Sequence, residues 1–234
     1  VTMGVLNSQS VRNKTFALVD FIIEHKCDLL AITETWLKPG DTTTDFTPDG
    51  FTFIQVPRLS KGGGGVGLLF KANLNVTVQA FDQFKSFECI HCEITDTSQS
   101  LRLVIVYRPQ PKSTGCSFTD FITDFQSLLD VYVLHQSNLI ITGDFNIHMD
   151  VPNDPQTIKF NDVLSSYEML QHVDGPTHRD GHTLDLMITR ERECIHANTT
   201  IKEGVSGDPR TSPVHNSLVC KLNMRRPAVL KKSI

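Results

Sequence analysis

A chain of 234 residues, 39% of them hydrophobic and 21% charged, can bury a substantial core as one large domain or two small ones. Its net charge of -4 excludes a global basic field as the means of holding nucleic acid, leaving a local basic rim or bound cations to neutralise phosphates. No apolar run has the length of a membrane span and the N-terminus lacks a signal-peptide core, so an intracellular protein is expected.

In chain order, Met3 to Leu6 is a short apolar run that closes on Asn7. A helical pattern follows from about Val11, with Phe16, Val19, Ile22 and Ile23 on one stripe. Asp28 to Thr33 reads as a buried strand closing on Glu34, and Lys38 to Gly50 as a loop rich in Thr, Asp, Pro and Gly. The middle is β-rich. Phe51 to Val56 is expected to pair with Val66 to Phe70 across Gly62–Gly65, and Asn75 to Ala80, Phe87 to Ile94 and Leu101 to Val106 follow as strands. The four glycines read as a flexible hairpin loop, because a strand follows them and no Walker sequence does. Six cysteines are spread along the chain. Cys89 and Cys92, three apart in an alternating run, point to opposite faces of a strand, which disfavours a zinc or redox motif and leaves free thiols.

Tyr107-Arg108-Pro109 ends the next strand, and a helix runs from the N-cap Ser117 to about Leu134, with Phe118, Phe121, Ile122, Phe125, Leu128 and Leu129 as its apolar stripe. Leu139-Ile140-Ile141 is a buried strand broken at Gly143. Asp144 and Asn146 follow two apart, on one face of an extended backbone, where α/β sheets place their ligand sites. A helix over about Pro155 to Leu170 turns Phe160, Val163 and Leu164 inward. Val173 to Thr183 is a polar, His-rich turn before the strand Leu184 to Ile188. Ile195 to Ile201 and Asn216 to Leu222 complete the strands. Residues 224–234, with Arg225, Arg226, Lys231 and Lys232, read as a solvated basic tail, so 1–223 forms one domain. Strand-helix-strand units around a β-rich middle predict an α/β architecture of two sheets packed face to face with helices outside.

Six polar residues lie at or near strand ends: Asn7, Glu34, Tyr107, Asp144, Asn146 and Asp185. His215 precedes the last strand. Singly, each reads as a cap or a turn residue. Jointly, they are expected to converge on one cleft, because strand ends on one side of a sheet sandwich share an edge.

With Leu6-Asn7, Glu34-Thr35-Trp36-Leu37, Tyr107-Arg108-Pro109, Gly143-Asp144-Phe145-Asn146 and Thr183-Leu184-Asp185-Leu186 in this order, the chain resembles the endonuclease/exonuclease/phosphatase, or deoxyribonuclease I-like, superfamily over about residues 3–222. It looks most like the apurinic-type endonuclease domain of non-LTR retrotransposons. The resemblance implies a four-layer α/β sandwich and a Mg²⁺-dependent, or Mn²⁺-dependent, enzyme that nicks DNA, acting in the nucleus. Glu34 would hold the metal with help from Asn7. Asp144 would orient or deprotonate the attacking water, with Asn146 positioning it. Tyr107 would contact the phosphate or the leaving oxygen, and His215, oriented by Asp185, a non-bridging oxygen. Thr177 would touch substrate. One position departs from the family's pattern: Val214 stands where the final Ser-Asp-His motif has Asp, and Asp208 lies seven residues before the His. Two alternatives therefore accompany the nicking enzyme: an inactive copy that retains nucleic-acid binding, and a phosphatase of the same superfamily acting on small molecules.

Overall fold

The computed structural model describes residues 1–59, 62–81, 84–193, 196, 198–208 and 210–225. Two six-stranded mixed sheets make its centre. The first has the order β11-β12-β1-β2-β4-β3 and the second β5-β6-β7-β8-β10-β9. The first is built from β1 (Thr2–Asn7), β2 (Leu29–Thr33), β3 (Phe51–Val56), β4 (Val66–Lys71), β11 (Thr200–Lys202) and β12 (Ser217–Lys221). The second contains β5 (Asn75–Gln79), β6 (Glu88–Thr95), β7 (Ser100–Tyr107), β8 (Asn138–Asp144), β9 (Met169–Gln171) and β10 (Asp185–Arg190). Helix α1 (Thr15–Glu24) covers the first sheet. Helices α3 (Phe118–Val133) and α4 (Pro155–Ser166) cover the second, giving the four-layer α/β sandwich expected. Among the described residues no helix is long and apolar enough to cross a membrane.

Period-two alternation explains the layering, because each strand turns one set of side chains to each face. Met3, Val5, Leu29, Ala31 and Leu68 of the first sheet meet Ile90, Cys92, Leu103, Ile105, Ile140 and Met187 of the second in the central core. The opposite set of the first sheet, Leu6, Leu30, Ile32 and Leu69, packs on α1 through Leu18, Phe21 and Ile22. Cys89 lies outside with α3 and Cys92 between the sheets, and the five described cysteines are unpaired. His91 on the outer face meets the Tyr132 hydroxyl at 2.6 Å. Burial lowers this imidazole to about 4, so it is a neutral core residue.

Several local readings change. The first helix begins at Thr15, since Val11 is buried and tied by its backbone N–H to Thr35 O. Phe16 is 87% and Ile23 67% exposed, and the inward face belongs to Leu18, Phe21 and Ile22 instead. The helix starting at Pro155 stops at Ser166, and the residues after it form β9 on the edge of the second sheet. A one-turn helix α2 (Pro111–Thr114) precedes α3, and a 3-10 turn (Thr44–Phe46) occupies the loop before β3. Ser117 caps α3 with a reciprocal capping box to Asp120, as its position predicts. Of the strand expected over Ile195 to Ile201, Thr200 and Ile201 pair within β11, and His196 makes an isolated antiparallel bridge to Leu222. Ile195 and most of the basic tail, 226–234, lie outside the described residues.

Candidate active site

Strand register builds one wall of the site. Glu88 pairs with Tyr107, Tyr107 with Asp144 and Asp144 with Asp185, so four polar side chains form one row across β6, β7, β8 and β10. Residues directly across a sheet share a face. The row therefore caps the central core, one rung beyond Ile90, Ile105 and Met187. The other wall comes from parallel β1 and β2, where Asn7 pairs with Thr33 and Glu34 follows. The ends of the two sheets enclose an open cleft of about 560 Å³ whose lining includes Glu34, Tyr107, Arg108, Asp144, Asn146 and His215.

Asn7 bridges the walls. Its Nδ2 donates to Asp144 Oδ2 at 2.8 Å and to Glu34 Oε1 at 3.0 Å. Asp144 also accepts from the Asn146 backbone N–H at 2.9 Å and from Asn146 Nδ2 at 3.3 Å. Phe145, between them, points the other way and is fully buried, edge-on to Phe125 and Phe121 at 5.8 and 6.4 Å. Phe145 thus enters the helix layer and anchors the turn, while Asn146 reaches the cleft from a left-handed backbone, φ +49°, after β8 has ended at Asp144, and not from the extended backbone expected. Arg108 clamps the same turn. It donates to Phe145 O at 3.1 Å and Asn146 O at 3.0 Å, with its guanidinium 5.0 Å above the Phe121 ring. Burial lowers Arg108 to about 10, which leaves it cationic at neutral pH.

Asp185 Oδ2 meets His215 Nδ1 at 2.9 Å, both side chains being almost wholly buried. Burial alone would lower this imidazole. The Asp185 hydrogen bond and the negative field of Asp185, Asp144 and Glu34 outweigh it and raise His215 to about 9. Asp144 is pushed well above the usual carboxylate range, first by burial and then by Asp185. Burial, with Glu34 and Asp144 beside it, likewise raises the Tyr107 phenol, which stays protonated. Among the described residues, Asp144, Asp185 and His215 form the one group bringing three metal-capable donors within 4.8 Å of each other. His215 Nδ1 is already engaged by Asp185, so this trio reads as an ion-paired histidinium between carboxylates.

All seven residues expected from strand ends meet at this edge. Thr177 does not present its hydroxyl to the cleft: it is fully buried, and its Oγ1 accepts from the backbone N–H groups of Leu184 and Asp185, both at 2.9 Å. Its work is to hold the turn that delivers Asp185. His215 is set by a bridge to His178 and by the Asn216 N–H to Thr177 O bond at 2.7 Å. Asp208 does not replace the missing carboxylate, because it pairs with Arg210 of its own loop at 2.8 Å. Sequence reasoning missed Glu88, which ion-pairs with Arg58 beneath Tyr107, and His178, whose ring packs on His215 at 4.9 Å. Glu88 sits at the start of its strand and no motif marked it.

The fold has known counterparts. The endonuclease domain of TRAS1, a telomere-specific non-LTR retrotransposon, superposes with a TM-score of 0.72 at 15% identity, covering 95% of this chain and 98% of that one. The AP endonuclease LMAP from Leishmania major gives 0.72 at 14% identity over 94% of this chain and 86% of that one. The 3' phosphatase NExo (D146N) from Neisseria, bound to product DNA hairpin, gives 0.68 at 13% identity over 95% and 99%. No curated protein matches the chain in sequence at a significant level. The profile of the Endonuclease/Exonuclease/phosphatase family matches residues 5–197, and the chain belongs to that family.

Proposed function

We propose that the chain is a divalent-metal-dependent phosphodiester hydrolase that nicks DNA in the nucleus and descends from a retrotransposon endonuclease. The observation that carries this reading is the convergence of Asn7, Glu34, Asp144, Asn146 and His215 on one open cleft. Glu34, Asp144, Asp154 and Asp180 line it, against Arg108 and the histidinium of His215. A phosphodiester entering such a cleft is repelled unless a cation comes with it. The donors fit a hard one, with the carboxylate oxygens of Glu34 and a buried Asp185 Oδ1 that has no hydrogen-bond partner. Asn7 turns its Nδ2 to Glu34 and its Oδ1 accepts from the Gln9 N–H at 3.0 Å, so its help is to orient the carboxylate. Glu34, assisted by Asn7, would hold Mg²⁺ or Mn²⁺, which when bound neutralises charge on the phosphodiester.

The chain's own groups supply the remaining chemistry. Asp144, fixed by Asn7 and Asn146, orients the attacking water and takes its proton, a role that a raised carboxylate pKa suits. Asn146 positions that water and the phosphate. Histidinium 215 donates from Nε2 to a non-bridging oxygen, with Asp185 holding Nδ1. Tyr107 offers its protonated hydroxyl to the phosphate or the leaving oxygen.

Nicking of supercoiled plasmid tests this reading. Wild type is expected to nick in Mg²⁺ and to lose activity in EDTA, and Glu34→Ala to lose at least about a hundredfold. Full nicking in EDTA, or an unaffected Glu34→Ala variant, would refute it. The Val214 position favours a second reading, an inactive copy that binds DNA. It predicts saturable DNA retention with no nicking under either condition.

A further inference from the structure

The segment after β2 is held in an uncommon shape. Glu34 and Trp36 both have left-handed backbones, φ +53° and +55°, which side-chain-bearing residues rarely adopt. Backbone bonds hold the segment from two sides: Ser10 N–H to Glu34 O at 2.7 Å, and Thr35 N–H to Gly65 O at 3.2 Å with Trp36 N–H to Gly64 O at 2.8 Å. The glycine run is therefore a seat for this segment. Gly63, Gly64 and Gly65 also have positive φ, and side chains at the last two would strike Arg58 and the Thr35 hydroxyl. Strain of this kind persists where surrounding structure enforces it.

Burial does not explain Trp36, which is 43% exposed. Its indole N–H donates to Glu34 Oε2 at 2.9 Å, while Asn7 Nδ2 holds Oε1 at 3.0 Å. Both oxygens of Glu34 are thus oriented by neutral donors. We propose that Trp36 is a positioning residue for Glu34: its indole N–H aims the carboxylate into the cleft, and the Gly63–Gly65 turn seats it there. The proposal rests on the metal-dependent reading of the cleft. Groups that orient a metal ligand from behind set affinity as well as geometry.

Trp36 is the single tryptophan of the chain, so its fluorescence reads the site directly. Paramagnetic Mn²⁺ should quench wild type saturably, and Glu34→Gln should abolish that quenching. Free Mn²⁺ measured by electron paramagnetic resonance then compares Trp36→Phe, which keeps a ring without an N–H, with Trp36→His, which restores one. The Mn²⁺ dissociation constant is expected to rise roughly tenfold in the Phe variant and to recover in part in the His variant. Melting temperatures in EDTA provide the check on folding. Equal affinity of the Phe variant and wild type overturns this proposal and leaves the metal reading standing. Weakening that the His variant does not relieve overturns the N–H role in favour of ring packing. Absence of Mn²⁺ binding by wild type overturns both this proposal and the metal reading.

Discussion

Asp185→Asn perturbs the buried pair that holds His215 with almost no change of shape. Against burial, the Asp185 hydrogen bond and the charges of Asp185, Asp144 and Glu34 raise His215 from 6.5 to about 9, a net preference for the protonated form worth about 3 kcal/mol. Neither side chain is more than 5% exposed, so solvent screening takes little from that figure. The sign follows from the raised value. Stability from His215 is fully present below the unfolded imidazole's 6.5 and is lost as pH rises through about 9. Asp144 acts in the same direction, because a carboxyl whose proton is held more tightly in the fold also loses stability as pH rises. Wild type should therefore lose up to about 3 kcal/mol from the pair between about pH 6 and pH 10, a slope opposite to that of an ordinary salt-bridged carboxylate. In Asp185→Asn, His215 loses the hydrogen bond and charge of Asp185 and keeps only Asp144 and Glu34 against burial, so its value falls, and Asp144 is relieved of its nearest repulsion, so the slope flattens. The variant should be up to about 3 kcal/mol less stable near pH 6, less any gain from relief of Asp144, and close to wild type near pH 10. Urea unfolding followed by circular dichroism in EDTA, at several pH values, measures both curves. Parallel curves for the two proteins would refute the reasoning.

Val214→Asp should raise plasmid nicking on the order of tenfold, because His215 is in register with Asp185 and the turn lacks a carboxylate there. No gain over wild type would show that the missing Asp does not limit the rate. Gly143→Ala should cost roughly 3 kcal/mol or more, since at φ +133° its Cβ would run into the Val106 carbonyl of the neighbouring parallel strand. Gly40→Ala, at φ +84° with nothing near its Cβ, should cost only about 1 kcal/mol, and equal thermal shifts for the two would contradict this.

Much of the architecture was legible because strand and helix periods are local. The alternation in Phe87 to Ile94 anticipates Cys89 and Cys92 on opposite faces, and the stripe from Phe118 to Leu129 anticipates the buried side of α3. Local pattern failed where a neighbour decides. Phe16 and Ile23 fit a helical stripe, yet the first sheet takes Leu18, Phe21 and Ile22, and β9 exists only because β10 offers it an edge.

Side-chain spacing within a few residues was enough for most of the strands, the main helices and the polar residues that close strand ends, but not for β9 or the bounds of β11. Tertiary structure decided what those ends do together. Pairing across β6, β7, β8 and β10 put Glu88 in the same row as Tyr107, Asp144 and Asp185, and packing of the two sheets brought Asn7 within hydrogen-bond reach of Asp144, 137 residues away. It turned Thr177 inward and made the glycine run a seat for Trp36. It also raised His215 to about 9, since burial among three carboxylates is a property of assembled neighbours that no stretch of chain carries alone.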